Sequence, residues 1–177
     1  MFAWTEADEP FGQAAPSLAS VAGVGAFAAY IVIAWLMSED GWVPILDSAN
    51  LALHEAGHPL VGLFSARLAV YGGTLFQLLF PVAVCVHFLR RGELAGAAAG
   101  LVWLGENLLN VGRYMADARA QVLPLVGGGE HDWTDIFSRW VVLDADTRIA
   151  GMTQFLGWAL IFGSVLWLLW AWWRSEA

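Results

Sequence analysis

From Leu18 to Met37 the chain carries no charged side chain. At 1.5 Å per residue such a run can cross a hydrocarbon layer about 30 Å thick. Within lipid the backbone must satisfy its own hydrogen bonds, so a single run of this kind has to be helical. Residues 74–89 and 151–173 are apolar in the same way, residues 94–116 are apolar in their first half and turn polar in their second, and residues 42–64 are long enough to span but carry several polar groups. These runs imply an all-α, polytopic helical membrane protein. It has four to five transmembrane helices and one integral membrane domain over residues 1–177. Composition agrees, with 59% hydrophobic and 14% charged residues, where soluble domains carry roughly a quarter charged. The last run ends Trp167-Leu168-Leu169-Trp170-Ala171-Trp172-Trp173-Arg174, an aromatic belt closed by a cation, as expected at a membrane–water boundary.

Charge narrows the partners. The formal net charge is −8, and all eight basic residues are scattered arginines. A polyanion needs a basic patch, so nucleic acid is excluded and membrane lipids are the expected surroundings. Cys85 is the one cysteine, which rules out an intrachain disulfide; a small buried thiol is expected there. Residues 1–17 contain Glu6, Asp8 and Glu9 and no basic residue. A positive n-region is missing, so the first apolar run is expected to persist as a helix rather than be cleaved.

Between the runs, Ser38-Glu39-Asp40-Gly41 reads as a polar turn, and Ala69–Gly73 as a second turn broken by Gly72-Gly73. Pro81 should kink the run that follows. The small residues Ala95 to Gly100 suit close helix approach in lipid. Residues 118–149 form the long polar stretch, expected at the interface with a short amphipathic helix near Trp133–Leu143. If all five runs cross, Arg67, Arg119, Arg139 and Arg148 lie with the N-terminus, and Arg90, Arg91 and Arg174 lie opposite.

The run 42–64 holds His54-Glu55-Ala56-Gly57-His58. At about 100° per residue, Asp47, Asn50, His54 and His58 share one helical stripe, which should face protein or a water-filled cavity. Two histidines four apart project from one face, and both imidazoles can reach one Zn²⁺ at about 2.0–2.1 Å. Glu55 then stands beside the ion without binding it, placed to take a proton from water and pass it to a leaving amine. Without metal, the same stripe would hydrogen-bond to Asp117 or Asn110 instead. A second stripe comprises Glu106, Asn110, Arg113 and Asp117. A catalytic zinc takes three protein ligands and keeps one position open. Candidates for the third are Asp117, His131 and Asp132. Glu106 and Arg113 are expected to pair with each other. His87, beside Arg90-Arg91, reads as an interface residue.

The motif within a membrane run, together with Gly72-Gly73-Thr74-Leu75-Phe76-Gln77-Leu78-Leu79-Phe80-Pro81, resembles the site-2-protease-like intramembrane zinc metalloproteases. The resemblance covers roughly residues 42–120 and implies zinc held by His54, His58 and Asp117, with Glu55 as base. It implies hydrolysis of peptide bonds in membrane-embedded substrates. The expected location is a bacterial inner (plasma) membrane. Two other readings stand beside it. One is a non-catalytic small subunit or assembly factor with partner subunits and a structural metal site, in which His131 could close the shell. The other is a transporter whose polar stripes line a pathway.

Overall fold

A computed structural model describes residues 15–126 and 130–176. The acidic residues Glu6, Asp8 and Glu9 and the run Gly127–Gly129 lie outside the described residues. Six α-helices form among the described residues, and no strand. They are α1 (Leu18–Met37), α2 (Leu46–Gly62), α3 (Ala69–Arg90), α4 (Leu94–Ala116), α5 (Asp132–Arg139) and α6 (Asp146–Glu176). α1, α3, α4 and the segment Leu143–Glu176 are long and apolar enough to cross a membrane.

α1 and α4 have the bounds of their apolar runs, because each run ends in polar residues that cannot continue into lipid. Ser17 caps α1 by accepting the Ser20 N–H at 3.2 Å. α6 overruns its apolar run at both ends, starting where the Asp146 carboxylate accepts the Thr147 N–H at 2.6 Å. The amphipathic helix is shorter than expected, stopping at Arg139.

α4 is the central helix. Of its apolar stretch 56% is buried, against 22% for α1. Its small residues do the packing: a Cβ on Gly96 would strike the Phe88 ring, and one on Gly100 would lie 2.8 Å from the Cys85 backbone nitrogen. Gly105 likewise meets the Gly157 carbonyl, and Gly112 meets Ala150 and Gln154. The order of these contacts makes α4 antiparallel to both α3 and α6.

Gly72 and Gly73 do not form the expected turn. Both lie inside α3 and are buried. Their missing Cβ atoms serve contact with α2 rather than backbone freedom: Gly72 touches the Gly57 backbone and Gly73 touches the His54 ring.

α2 is not among the helices long and apolar enough to cross, which puts the count at the lower of the four to five expected. The chain leaving α1 turns back into the bundle before α2 begins. Tyr30, about two turns inside α1, donates its hydroxyl to the Pro44 carbonyl, and Gly41 rests on the Trp35 indole. A tight turn then starts the helix: Leu46 N–H donates to the Pro44 carbonyl at 2.8 Å, with Ile45 at φ 70° and ψ −57°. α2 has 17 residues, roughly 26 Å, and ends with Gly62 facing Ala69 at the start of α3. Pro59 lies in its last turn. Lacking an N–H, it leaves the Glu55 carbonyl without a helical donor, and the helix stops at Gly62.

α2 therefore starts inside the bundle and finishes at the end from which α1 emerged. Four crossings remain. Arg67, Arg119, Arg139 and Arg148 consequently lie at the end opposite the N-terminus, the reverse of the five-crossing arrangement. Arg139 is tied to that end by donating to the Arg67 carbonyl at 2.7 Å.

Candidate metal centre

The polar stripe of α2 faces inward as its spacing requires, with Asp47, Asn50 and His54 buried. Each member has a partner on another helix. Asn110 Nδ2 donates to Asp47 at 2.6 Å, and Gln77 Nε2 donates to Asn110 at 2.8 Å. Asn50 Nδ2 donates to Glu106 at 2.7 Å and its carbonyl accepts the Trp103 indole N–H at 2.9 Å. Two carboxyl side chains are thus held by amides in reciprocal pairs between α2 and α4. The expected Glu106–Arg113 pair does not form. Arg113 instead reaches Asp40 at 3.3 Å and lies over the Trp42 ring, because the chain before α2 folds back alongside α4.

The two motif histidines meet Asp132. His54 Nε2 lies 2.9 Å from Asp132 Oδ2, and His58 Nε2 lies 3.2 Å from the same oxygen. One donor atom from each of the three residues falls within 4.8 Å of the others. Donors about 2.0–2.1 Å from a tetrahedral ion stand roughly 3.3 Å apart, and the two histidine-to-Asp132 distances lie near that spacing. His58 Nδ1 lies 2.9 Å from the Ala69 carbonyl oxygen. That oxygen can only accept, so Nδ1 carries the proton and neutral His58 presents the Nε2 lone pair. The lone pair then faces a carboxylate oxygen at 3.2 Å. Two acceptors at that distance require a cation between them, either a proton on the ring or a metal ion. A second ring nitrogen bonded to a backbone carbonyl is also how metal-binding histidines are commonly oriented. Burial opposes the charge of Asp132, but its hydrogen bonds to His54 and His58 outweigh it and hold the carboxyl below its ordinary 3.8.

Local structure places Asp132. It is the first residue of α5, capped by His131, whose Nδ1 accepts the Thr134 N–H at 3.3 Å. Thr134 in turn donates its hydroxyl to the Ala118 carbonyl, which ties α5 to the end of α4. The Asp132 N–H donates to the Tyr114 hydroxyl oxygen at 3.1 Å. On α3, Gly73 makes room for His54, since a Cβ there would lie 2.5 Å from its Nε2.

Asp117 and His131, both expected as ligands, are not in this group. Asp117 follows the last residue of α4, where its carboxylate accepts the Val122 and Leu123 N–H groups at 2.8 and 3.1 Å. It stabilises the departing turn, and its Oδ2 lies 3.4 Å from His131 Nε2. The Tyr114 ring is adjacent to both sites, 5.9 Å from the His54 ring and 4.2 Å from that of His131. His131 is buried rather than solvated and acts as a helix cap. His87 is exposed and contacts only Phe88 among the described aromatic rings. The sequence signal for Asp132 was weak, an acid at the first turn of an eight-residue helix, and spacing alone does not tell such an acid from a capping group.

The three residues line a cavity of about 540 Å³. Leu51, Val70 and Leu125 supply apolar wall, and Glu55, Tyr114 and Arg113 supply polar groups. Among the described residues Glu55 has no side-chain hydrogen-bond or ion-pair partner, and it lines that space. The cavity reaches the end of the bundle where Glu130, Asp135 and Arg139 sit.

No family model matches the chain, and no curated protein and no solved structure matches it.

Proposed function

We propose that this chain is an intramembrane zinc metallopeptidase-like hydrolase that cleaves peptide bonds in membrane-embedded substrates, in a bacterial inner membrane. The observation that carries the reading is the convergence of His54, His58 and Asp132 in the cavity that Glu55 also lines, Glu55 having no partner among the described residues. Three nitrogen and oxygen donors that line a cavity suit a catalytic zinc site better than a closed four-ligand structural one. A zinc ion bound there would supply Lewis acidity for activating water and polarising a carbonyl. The residues do the rest. His54, His58 and Asp132 would hold the ion. Glu55 accepts the proton of the attacking water and returns it to the leaving amine. The apolar walls at Leu51, Val70 and Leu125 suit a hydrophobic peptide, and the polar end of the cavity supplies water.

The deciding experiment uses purified protein and a model transmembrane peptide, comparing the natural chain with Glu55→Gln. Cleavage that depends on Glu55 and is restored by zinc after chelation supports the reading. Equal cleavage by both forms ends it. One zinc per chain without cleavage would support the non-catalytic subunit instead.

A further inference from the structure

We propose that the Tyr114 hydroxyl is a catalytic hydrogen-bond donor, stabilising the scissile carbonyl oxygen as it becomes negative. This inference rests on the hydrolase reading above and deepens it. Three observations carry it. Tyr114 lines the same cavity as His54, Glu55, His58 and Asp132. Its oxygen lies 3.1 Å from the Asp132 backbone nitrogen and accepts that N–H, so the hydroxyl is anchored beside the ligand set. A tyrosine hydroxyl has one proton to donate, and among the described residues that proton has no acceptor. The accepted bond fixes the oxygen and leaves the proton for the cavity.

Other side-chain donors also line the cavity. Asn110 Nδ2 donates to Asp47 and Gln77 Nε2 to Asn110. Arg113 Nη1 reaches Asp40 at 3.3 Å, and its Nε has no partner among the described residues. Among the described residues lining the cavity, Tyr114 is the side-chain donor that is also anchored by the backbone N–H of Asp132.

The step balances as follows. Glu55 removes a proton from water, and the water oxygen forms a bond to the carbonyl carbon. The carbonyl π pair moves onto its oxygen, which receives the Tyr114 hydrogen bond and keeps its charge without accepting the proton. Collapse restores the carbonyl and breaks the C–N bond, and the amine takes the proton from Glu55. A preorganised donor aimed at such an oxygen commonly contributes about a hundredfold or more in kcat.

The test compares the natural chain, Tyr114→Phe and Glu55→Gln as full-length proteins in proteoliposomes, measuring zinc content, cleavage kinetics and affinity for a peptide phosphinate. The phosphinate carries tetrahedral anionic oxygen, so its binding reports the donor without turnover. Tyr114→Phe is expected to keep its zinc and its KM, to lose about a hundredfold in kcat, and to bind the phosphinate correspondingly less tightly. Unchanged kcat and phosphinate affinity overturn the inference while leaving the hydrolase reading intact. Loss of zinc in Tyr114→Phe also overturns it, making Tyr114 a positioning residue for Asp132. Absence of Glu55-dependent cleavage in the natural chain removes the hydrolase reading and this inference together. Should Tyr114→Phe fail to assemble, 3-fluorotyrosine at position 114 decides, since it keeps the hydroxyl but makes it more acidic. Phosphinate affinity then rises if the Tyr114 hydroxyl donates to the anionic oxygen, and stays unchanged if it does not.

Discussion

Gly57 of the histidine motif and Gly72 of α3 meet backbone to backbone: a Cβ on Gly57 would lie 2.1 Å from the Gly72 carbonyl oxygen, and one on Gly72 2.4 Å from the Gly57 carbonyl oxygen. This contact sets the separation of α2 and α3, and the neighbouring Gly73 receives the His54 ring in the same groove. The obstructing atoms are backbone, so they cannot rotate away as a side chain would. Gly57→Ala is therefore expected to destabilise the fold by about 1–3 kcal/mol and to lower metal affinity by moving His54 and His58. Gly23, Gly151 and Gly163 have nothing within 4 Å of an added Cβ, and alanine there should leave stability unchanged or raise it. Thermal unfolding in detergent, followed by metal titration, checks both halves.

Replacing the two candidate acids separates their roles. Asp132→Asn removes the oxygen charge shared by His54 and His58 and is expected to reduce zinc stoichiometry well below one per chain. Asp117→Asn weakens the acceptor of the Val122 and Leu123 N–H groups. It should keep zinc while losing roughly 1 kcal/mol or somewhat more of stability. Metal analysis of both purified variants distinguishes them, and zinc loss confined to Asp117→Asn would reverse the ligand assignment.

Topology gives an independent check. Four crossings put the two ends of the chain on the same side of the membrane, whereas a fully spanning α2 would separate them. Reporter fusions at each end should give the same sidedness. Arg67, Arg119, Arg139 and Arg148 lie at the other end of the bundle and outnumber Arg90, Arg91 and Arg174. By the positive-inside rule the reporters should read extracytoplasmic and the metal centre should face the cytoplasm. Opposite readings from the two fusions would refute the inward-starting α2.

Ile45 adopts φ 70° in the turn before α2 and its side chain is exposed. A β-branched residue in that region is strained by about 1–3 kcal/mol, and its exposure means little packing is lost on removal. Ile45→Gly relieves the strain and adds only about 0.5–1 kcal/mol of chain entropy cost. A net gain of roughly 1 kcal/mol is expected, visible as a higher midpoint in denaturant.

The candidate site was legible in proportion to how local its signals are. His54, Glu55 and His58 were readable because the four-residue repeat of a helix alone puts both rings on one face. Asp47 and Asn50 followed from the same periodicity. Glycines were harder, because Gly72-Gly73 looks the same whether it makes a turn or admits a neighbouring helix. The choice between those uses is made by Gly57 and His54, residues on another element. Glu106 and Arg113 were paired on paper by sharing a stripe, but Asn50 and Asp40 compete for them across the bundle.

Length and polarity by themselves determined a helical membrane protein, the bounds of α1 and α4, and the inward face of the motif helix. These depend on hydrophobic burial and on a repeat of 3.6 residues, both written along the chain. Only the tertiary structure decided that α2 starts inside the bundle and that Asp132, not Asp117, meets the histidines. Each of those outcomes depends on where a connecting segment returns in space. The first is set by the Tyr30–Pro44 hydrogen bond, and the second by Asp117 holding the turn after α4 while Thr134 ties α5 to Ala118. Contacts of that kind join residues with no periodic relation in the sequence, so no local pattern announces them.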